Sequence, residues 1–406
     1  MTTRQARSKS EQGKTKNIGR TFISYAVFFI VFLFFPHVAS ADFFYSEKYG
    51  YYLDLPEAYK IEDQAEDESS IFFAHSLLPV YFAIKIYDAD AGKAPVSVLQ
   101  DALDRLKSKN EISEVKWNGS DCALADFSFA MPDKTQHKGW AACVPVGKEN
   151  AAACLLCYAP LQRNAQCSGL IISTIDSFVP SRAGFLNQGL IETFAFPYGK
   201  KKELTLNIGG KTIATRVDEQ DAEAAKFVVE REYAVLTLYA RHNLWKEAWQ
   251  RYYRFVFRDS FSRLSAVSAD IYKGIFSDAL KADINSPERA YAQTLLSWLQ
   301  DFTYSRNHKT SDFTDLISAL SGTGSDCDSR SLLLCVLMKH IGVNSALFIS
   351  REYSHAVAGL NITGDGAKIK VGQTDFLIAE TTAHVDIGKI AKDMSDKNKW
   401  IAVEFP

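Results

Sequence analysis

The apolar residues of this chain change period once, and that change limits it to a mixed architecture. From Asp42 to about Pro197 they fall in short runs bounded by turn residues, Val80 to Ile86 and Gly169 to Thr174 among them, as strands do. One stretch there, about Val96 to Lys107, has helical spacing instead. Gly199 with Lys200, Lys201 and Lys202 reads as a linker. Leu204 to Ile208 and Lys211 to Arg216 then flank Gly209-Gly210 as a hairpin. From Asp221 to about Asp259 the pattern is helical, with Trp245, Trp249, Tyr252, Tyr253 and Phe257 on an aromatic face. Arg251, Arg254 and Arg258 read as a solvated face of the same helix. The expectation is an α+β chain: a strand-rich α/β sandwich over 42–198, a hairpin plus helical connecting region over 199–285, and a last unit over 286–406 with an antiparallel sheet.

Residues 1–41 read as an address. The first twenty carry six Lys/Arg against one Glu, Phe22 to Phe35 are mostly apolar, Pro36 breaks the run, and Ala39-Ser40-Ala41 suits a small-residue cleavage site. The expectation is export to a periplasmic or extracellular space, with residues 21–38 as a membrane attachment if the leader is kept. Removing the leader leaves 40 Lys/Arg against 47 Asp/Glu, a formal charge of −7. Such a balance argues against nucleic acid as a partner.

Five of the seven cysteines, Cys122, Cys143, Cys154, Cys157 and Cys167, fall within one 46-residue stretch. In an exported protein they are disulfide candidates. A turn at Lys148-Glu149 sets Cys143 opposite Cys154, and a second near Gln162 sets Cys157 opposite Cys167, leaving Cys122 unpaired. Zinc at Cys154-x-x-Cys157 lacks a second ligand pair. Asn118-Gly119-Ser120, though sequon-like, reads as an ordinary turn.

The remaining cysteines lie downstream, and one has distinctive surroundings. Gly322-Thr323-Gly324-Ser325-Asp326-Cys327 is a glycine-rich loop delivering Cys327 to the first turn of a leucine-rich helix that stops at Gly342. Unpaired N–H groups and the helix dipole at such a position favour a thiolate. Cys335, two turns on, reads as packing. Ser286-Pro287-Glu288 starts the helix leading into this loop, with Ser286 as N-cap and Tyr291, Leu295, Trp298 and Phe302 along one face. After the cysteine helix come a strand at Ser345 to Ile349 and another opened by His355. Period-2 alternation there puts Val357 and Gly359 with His355, and Ala356, Ala358 and Leu360 on the other face. A further strand, Phe376 to Glu380, ends in a carboxylate, and Trp400 to Phe405 can close the sheet. A nucleophilic thiol needs a base, and the base needs a group that fixes its tautomer. Cys327, His355 and Glu380 supply these types, and pairing 354–362 with 368–380 brings His355 beside Glu380. Asp386 is the reserve for the third role, while His308, His340 and His384 have no comparable surroundings.

Two resemblances follow from these residues. Tyr49-Gly50-Tyr51-Tyr52-Leu53-Asp54-Leu55-Pro56, a Lys138-Gly139-Trp140 turn and the closing run Ile171 to Phe178 resemble the PsbP-like superfamily over some 150 residues. That resemblance implies a binding or spacer module. From Ser286 onward, Gly-x-Gly-x-Asp-Cys-Asp-x-x-Ser-Leu-Leu-Leu, then His-Ala at a strand start, then Glu-Thr-Thr after an apolar strand, resembles the transglutaminase-like superfamily of papain-type cysteine enzymes. It implies Cys327 as nucleophile, His355 as base and Glu380 as orienting acid, a position more often Asp in that family. Val357 replaces a usual aromatic residue after His-Ala, and Ser325 stands where Gly is frequent. The implied activity is attack on an amide or peptide bond through a thioester, ending in hydrolysis or transamidation. The substrate is a protein or peptide, peptidoglycan peptides included, and no metal or organic cofactor is needed. The alternative is an inactive transglutaminase-like envelope protein acting as a binding scaffold.

Overall fold

The computed structural model describes residues 43–88, 93–147, 151–305 and 311–406, and its architecture is α+β. The leader, the Lys148-Glu149 turn and His308 lie outside the described residues. No helix among the described residues is long and apolar enough to cross a membrane.

The first half is built on a seven-stranded antiparallel sheet. Short strands β1 (Phe44–Tyr45) and β2 (Tyr52–Leu53) precede β3 (Tyr59–Gln64), β4 (Ser70–His75) and β5 (Tyr81–Asp88). Helix α1 (Pro95–Arg105) follows, then β6 (Lys109–Trp117), β7 (Ser120–Ala130), β8 (Gln136–Val146) and β9 (Ala151–Pro160). The sheet order is β3-β4-β5-β9-β8-β7-β6. Its two faces are both covered, one by α1 and the other by α2 (Asn164–Asp176). The sequon-like triplet is a tight turn, with Asn118 and Gly119 both at positive φ between the paired residues Trp117 and Ser120.

Three expectations fail here for identifiable reasons. Gly169 to Thr174 and the run Ile171 to Phe178 are not a strand, because residues 164–176 form α2. Most of that helix is buried against β8, β9 and the next helices, so tertiary burial overrides the β-branched preference of Ile171, Ile172, Thr174 and Ile175. Lys138-Gly139-Trp140 is no turn but the middle of β8, where a Cβ on residue 139 would overlap the Cys157 carbonyl of β9. The cysteines are all free thiols. Cys143 and Cys154 do face each other in the β8–β9 register without a disulfide, whereas Cys167 sits on α2 rather than on a strand opposite Cys157.

Strand β10 (Phe178–Val179) closes a small sheet with β2, and α3 (Leu190–Ala195) leads to the hairpin of β11 (Lys201–Ile208) and β12 (Lys211–Asp218). Helices α4 (Asp221–Thr237), α5 (Trp245–Arg263), α6 (Ser265–Ala282) and α7 (Pro287–Gln300) come next. Ser286 precedes α7 as expected, yet its hydroxyl pairs with Thr363 Oγ1 at 3.1 Å rather than capping the helix. After the single turn α8 (Leu316–Ala319) comes α9 (Cys327–His340), followed by β13 (Ser345–Ser350), β14 (His355–Leu360), β15 (Lys368–Val371), β16 (Thr374–Ala379) and β17 (Ile401–Glu404). These five strands form an antiparallel sheet in the order β15-β16-β14-β13-β17. Helix α9 lies on one face, apolar on nearly every side, as a central helix must be. Residues from β11, β12, α5, α6, α7 and α9 share one continuous core.

Helix α5 runs between the two halves and is buried on opposite sides for different reasons. Tyr252, Tyr253, Val256 and Phe257 enter the core around α9. Arg251, Arg254 and Arg258, expected in solvent, instead face the first half. Arg254 chelates Asp54, and Arg258 donates to the Asn187 and Asp176 carbonyls, each at 2.6 Å.

Candidate active site

The nucleophile candidate is placed by a capped helix start. Asp326 has an extended backbone, and its carboxylate accepts from the Ser329 N–H at 2.8 Å and the Ser329 hydroxyl at 2.5 Å. This is the N-cap to N3 bond that fixes where a helix begins. Gly322, at φ +69°, lets the chain turn into the loop, and the Ser325 N–H and carbonyl bond Thr303 and Ser305. Cys327 is therefore the first residue of α9, 2% exposed.

His355 and Glu380 meet at the ends of neighbouring strands. The Nε2 atom of His355 lies 2.7 Å from Glu380 Oε2. Glu380 Oε1 accepts from the Thr382 N–H at 2.8 Å and from its hydroxyl at 2.7 Å. Burial alone would raise this carboxyl, but the His355 and Thr382 bonds outweigh it and hold it below the usual carboxylate range. A carboxylate at Nε2 fixes the proton there, so Nδ1 is the atom left to act as a base. Gln300 anchors the strand exit by donating to the Glu380 and Val385 carbonyls at 2.8 and 2.9 Å.

Cys327 packs on the strand that His355 opens, as part of the helix lying against it. Ala356, next in chain to His355, shares a core with Cys327, and its carbonyl accepts from the Ser331 hydroxyl of α9 at 3.4 Å. The thiol itself donates to Asp328 Oδ1 at 3.1 Å, and no Cys327–His355 hydrogen bond forms among the described residues. Strand alternation explains the separation. Ala356 and Ala358 pack with Cys327 on the α9 face, whereas Val357 belongs to the opposite face, where the His355 ring lies 6.3 Å from that of Trp400. The expected thiolate is also corrected. Burial pushes the thiol well up, and the charges of Asp328 and Asp326 add to it. Burial and the Asp328 charge likewise push the Asp326 carboxyl up, to about 7.

A cleft of about 450 Å³ opens on His355 and Asp328, while Cys327 and Glu380 lie outside its lining. His355, Asp328 and Tyr253 line it together with Trp245, Trp249 and Phe313. Asp328 and Tyr253 were not singled out from sequence as site residues. The second carboxylate of Asp-Cys-Asp was the available signal for Asp328, and Tyr253 showed only as part of an aromatic face. Asp328 Oδ2 accepts from the Tyr253 hydroxyl. Asp386 is remote in function from this cluster: it is exposed and paired with Lys389 at 2.9 Å. His340 stacks on Phe261 and bonds its carbonyl, and His384 is exposed near Asp301. Cys335 is wholly buried in the core.

No protein-family model matches the chain, and no curated protein is similar enough to match. Among solved structures, the cyanobacterial PsbP protein CyanoP of Synechocystis overlaps 35% of this chain and 95% of its own, at 12% identity and a TM-score of 0.29. A protein of Cytophaga hutchinsonii provisionally named a cysteine protease overlaps 82% of this chain and 78% of its own, at 10% identity and a TM-score of 0.21. One of Parabacteroides distasonis provisionally named a protease overlaps 79% and 69%, at 9% identity and a TM-score of 0.19. Overlaps this loose establish no shared activity.

Proposed function

We propose that this chain is an exported cysteine enzyme that acts on amide or peptide bonds through Cys327, His355 and Glu380. The observation that carries the reading is the His355 Nε2 to Glu380 Oε2 hydrogen bond of 2.7 Å, formed at the start of the strand whose next residue, Ala356, packs in one core with Cys327. Nucleophilic catalysis needs a thiol and an oriented base, and here the base opens the strand on which the thiol's helix packs.

In this mechanism the thiol turns from Asp328 and passes its proton to His355 Nδ1. The sulfur attacks the substrate carbonyl carbon, and the oxygen that becomes negative meets the Cys327 backbone N–H at the start of α9. The C–N bond then breaks, His355 returns the proton to the departing amine, and a thioester remains. Water attacking that thioester gives a carboxylic acid, and a primary amine gives a new amide. Either attack regenerates the thiol, with His355 carrying the proton. A protein or peptide substrate, peptidoglycan peptides included, fits the cleft and the export implied by the basic and apolar leader.

The test is adduct mapping by mass spectrometry with a thiol-reactive amide mimic on the full chain, followed by amide turnover. Labelling of Cys327 should depend on His355 and vanish in Cys327→Ala together with turnover. Equal labelling in His355→Ala and the parent would sink the reading. A second reading, a scaffold without turnover, is favoured by one observation: the thiol bonds Asp328 and not His355. It predicts slow labelling that His355→Ala leaves unchanged.

A further inference from the structure

Glu380 is an acid on a long arm. Several side-chain torsions separate its carboxylate from the backbone, and a side chain of that kind gives up much rotamer freedom when it is fixed. Strand β16 ends at Ala379, so the carboxylate is presented by the chain just beyond the sheet. What fixes it there is Thr382, whose N–H and hydroxyl both donate to Oε1, at 2.8 and 2.7 Å, while Oε2 meets His355 Nε2 at 2.7 Å. We propose that Thr382 is a positioning residue of this site: two donors on one carboxylate oxygen stop the group from turning, so that the other oxygen stays on His355 Nε2 and Nδ1 is left to take the thiol proton. The proposal rests on the reading of Cys327, His355 and Glu380 as a catalytic group and adds the residue that orients its acid.

The chain that carries Thr382 is tied to the helix that begins with Cys327. Thr381 is wholly buried, and its hydroxyl pairs with the buried Ser331 Oγ of α9 at 3.1 Å. Ser331, one turn on from Cys327, donates to the Ala356 carbonyl, next in chain to His355, at 3.4 Å. One buried hydroxyl on the helix of the thiol therefore joins the segment that holds the acid to the strand that carries the base. Gln300 of α7 donates to the Glu380 carbonyl at 2.8 Å, which fixes the main chain and leaves the side-chain torsions to Thr382. Among the described residues, the charged groups acting on Glu380 are His355 of β14 and Arg330 of α9, and Arg330 is committed to Ser325 Oγ at 3.0 Å and the Phe302 carbonyl at 2.8 Å. A single bond to His355 would let the carboxylate rock about its Cγ–Cδ axis, and donors on the second oxygen fix its plane. The same donors favour the ionised carboxylate, the form that supports an imidazolium.

The experiment compares the full chain with Thr382→Val, which keeps the backbone donor and the branched shape but loses the hydroxyl, and with Thr382→Ser, which keeps the hydroxyl. Proton NMR of the histidine ring N–H groups above neutral pH reads the His355 Nε2 proton, and steady-state amide turnover reads the reaction. The parent and Thr382→Ser should show a downfield Nε2 proton in slow exchange with water. Thr382→Val should lose that signal, and its kcat should fall about tenfold with KM little changed, the scale of one hydrogen bond to a charged group. An Nε2 proton as protected in Thr382→Val as in the parent, or an unchanged kcat in that variant, overturns the proposal. A role confined to stability would lower Tm and move neither readout. If Thr382→Val does not fold, Thr382→Ala is read in the same way, and a parent whose Nε2 proton exchanges like that of a free imidazole decides against the proposal alone. A protected proton that is lost in Thr382→Val, with no amide turnover in any form, leaves the orienting role standing and removes the enzymatic reading, so the two fail separately.

Discussion

Arg251 and Glu232 meet inside the protein, Nη1 to Oε2 at 2.7 Å, with only 2% and 0% of their side chains exposed. The same guanidinium donates to the Asp54 carbonyl at 2.8 Å and to Ser173 Oγ at 2.9 Å. One side chain on α5 therefore ties α4 to the helix that covers the first sheet. Around it, Arg231 bonds Asp176 and Glu232, while Arg263 joins Glu192, Asp221 and Asp259. Buried ions are costly to desolvate, so each depends on its partner being present.

Arg251→Ala should lower the unfolding free energy by about 1–3 kcal/mol, because Glu232 Oε2 loses its charged donor and the Asp54 carbonyl its partner, while Arg231 still holds Oε1. Arg251→Ala combined with Glu232→Gln should cost less than the two single changes together, since each single change already removes their shared ion pair. Urea unfolding followed by circular dichroism measures both. An additive double variant would show that the pair is not coupled.

The same helix shows what local sequence could and could not reveal. Its aromatic face was legible because Tyr252, Tyr253 and Phe257 recur at helical spacing, and they do enter the core. The arginine face was not legible, because its carboxylate partners lie up to 200 residues away, as for Arg254 and Asp54. Strands β5, β11, β12, β13 and β14 and helices α1 and α7 follow from alternation and turn residues, which are local. Helix α2 does not, since its β-branched run becomes helical only when the sheet and α4 bury it. At the site, the His355–Glu380 pairing was a matter of sheet register and could be read ahead. The Cys327–Asp328 bond depends on which way a side chain turns at a crowded helix start, and no spacing rule reports that.

His75 provides a pH prediction. Its Nδ1 accepts from the Leu77 and Leu78 N–H groups at 3.3 and 3.0 Å, and its Nε2 lies 3.0 Å from the Tyr239 hydroxyl. A proton on Nδ1 would oppose two donors, and burial lowers the group from 6.5 to about 4. A histidine depressed in the folded state contributes stability that is complete above the unfolded value and is lost as pH falls. The loss should begin below about 6.5 and continue to about 4. In a proton NMR titration, the His75 ring signals should stay at their neutral positions until pH nears the lower value. A midpoint near 6.5 would show that the imidazole is not confined as described.

Arg330 ties the loop before Cys327 to the chain just after Glu380. Its Nε donates to Ser325 Oγ at 3.0 Å, its Nη2 to the Phe302 carbonyl at 2.8 Å, and its Nη1 approaches the Thr381 carbonyl at 3.4 Å, one residue beyond Glu380. The side chain is 1% exposed, so no solvent replaces a lost donor. Lysine keeps the charge but has one point of donation where guanidinium has a planar fork, and it cannot reach all three acceptors. Arg330→Lys should therefore cost about 1–3 kcal/mol of stability through the acceptors left bare. Under the proposed function it should also lower kcat more than it alters KM, because the bridge joins the Cys327 loop to the exit of the Glu380 strand and touches nothing in the cleft lining. Calorimetric Tm and steady-state amide turnover give the two readouts. A variant with unchanged kcat and a lowered Tm would make Arg330 a stabilising residue alone, and the frame it spans would not be what aligns the site.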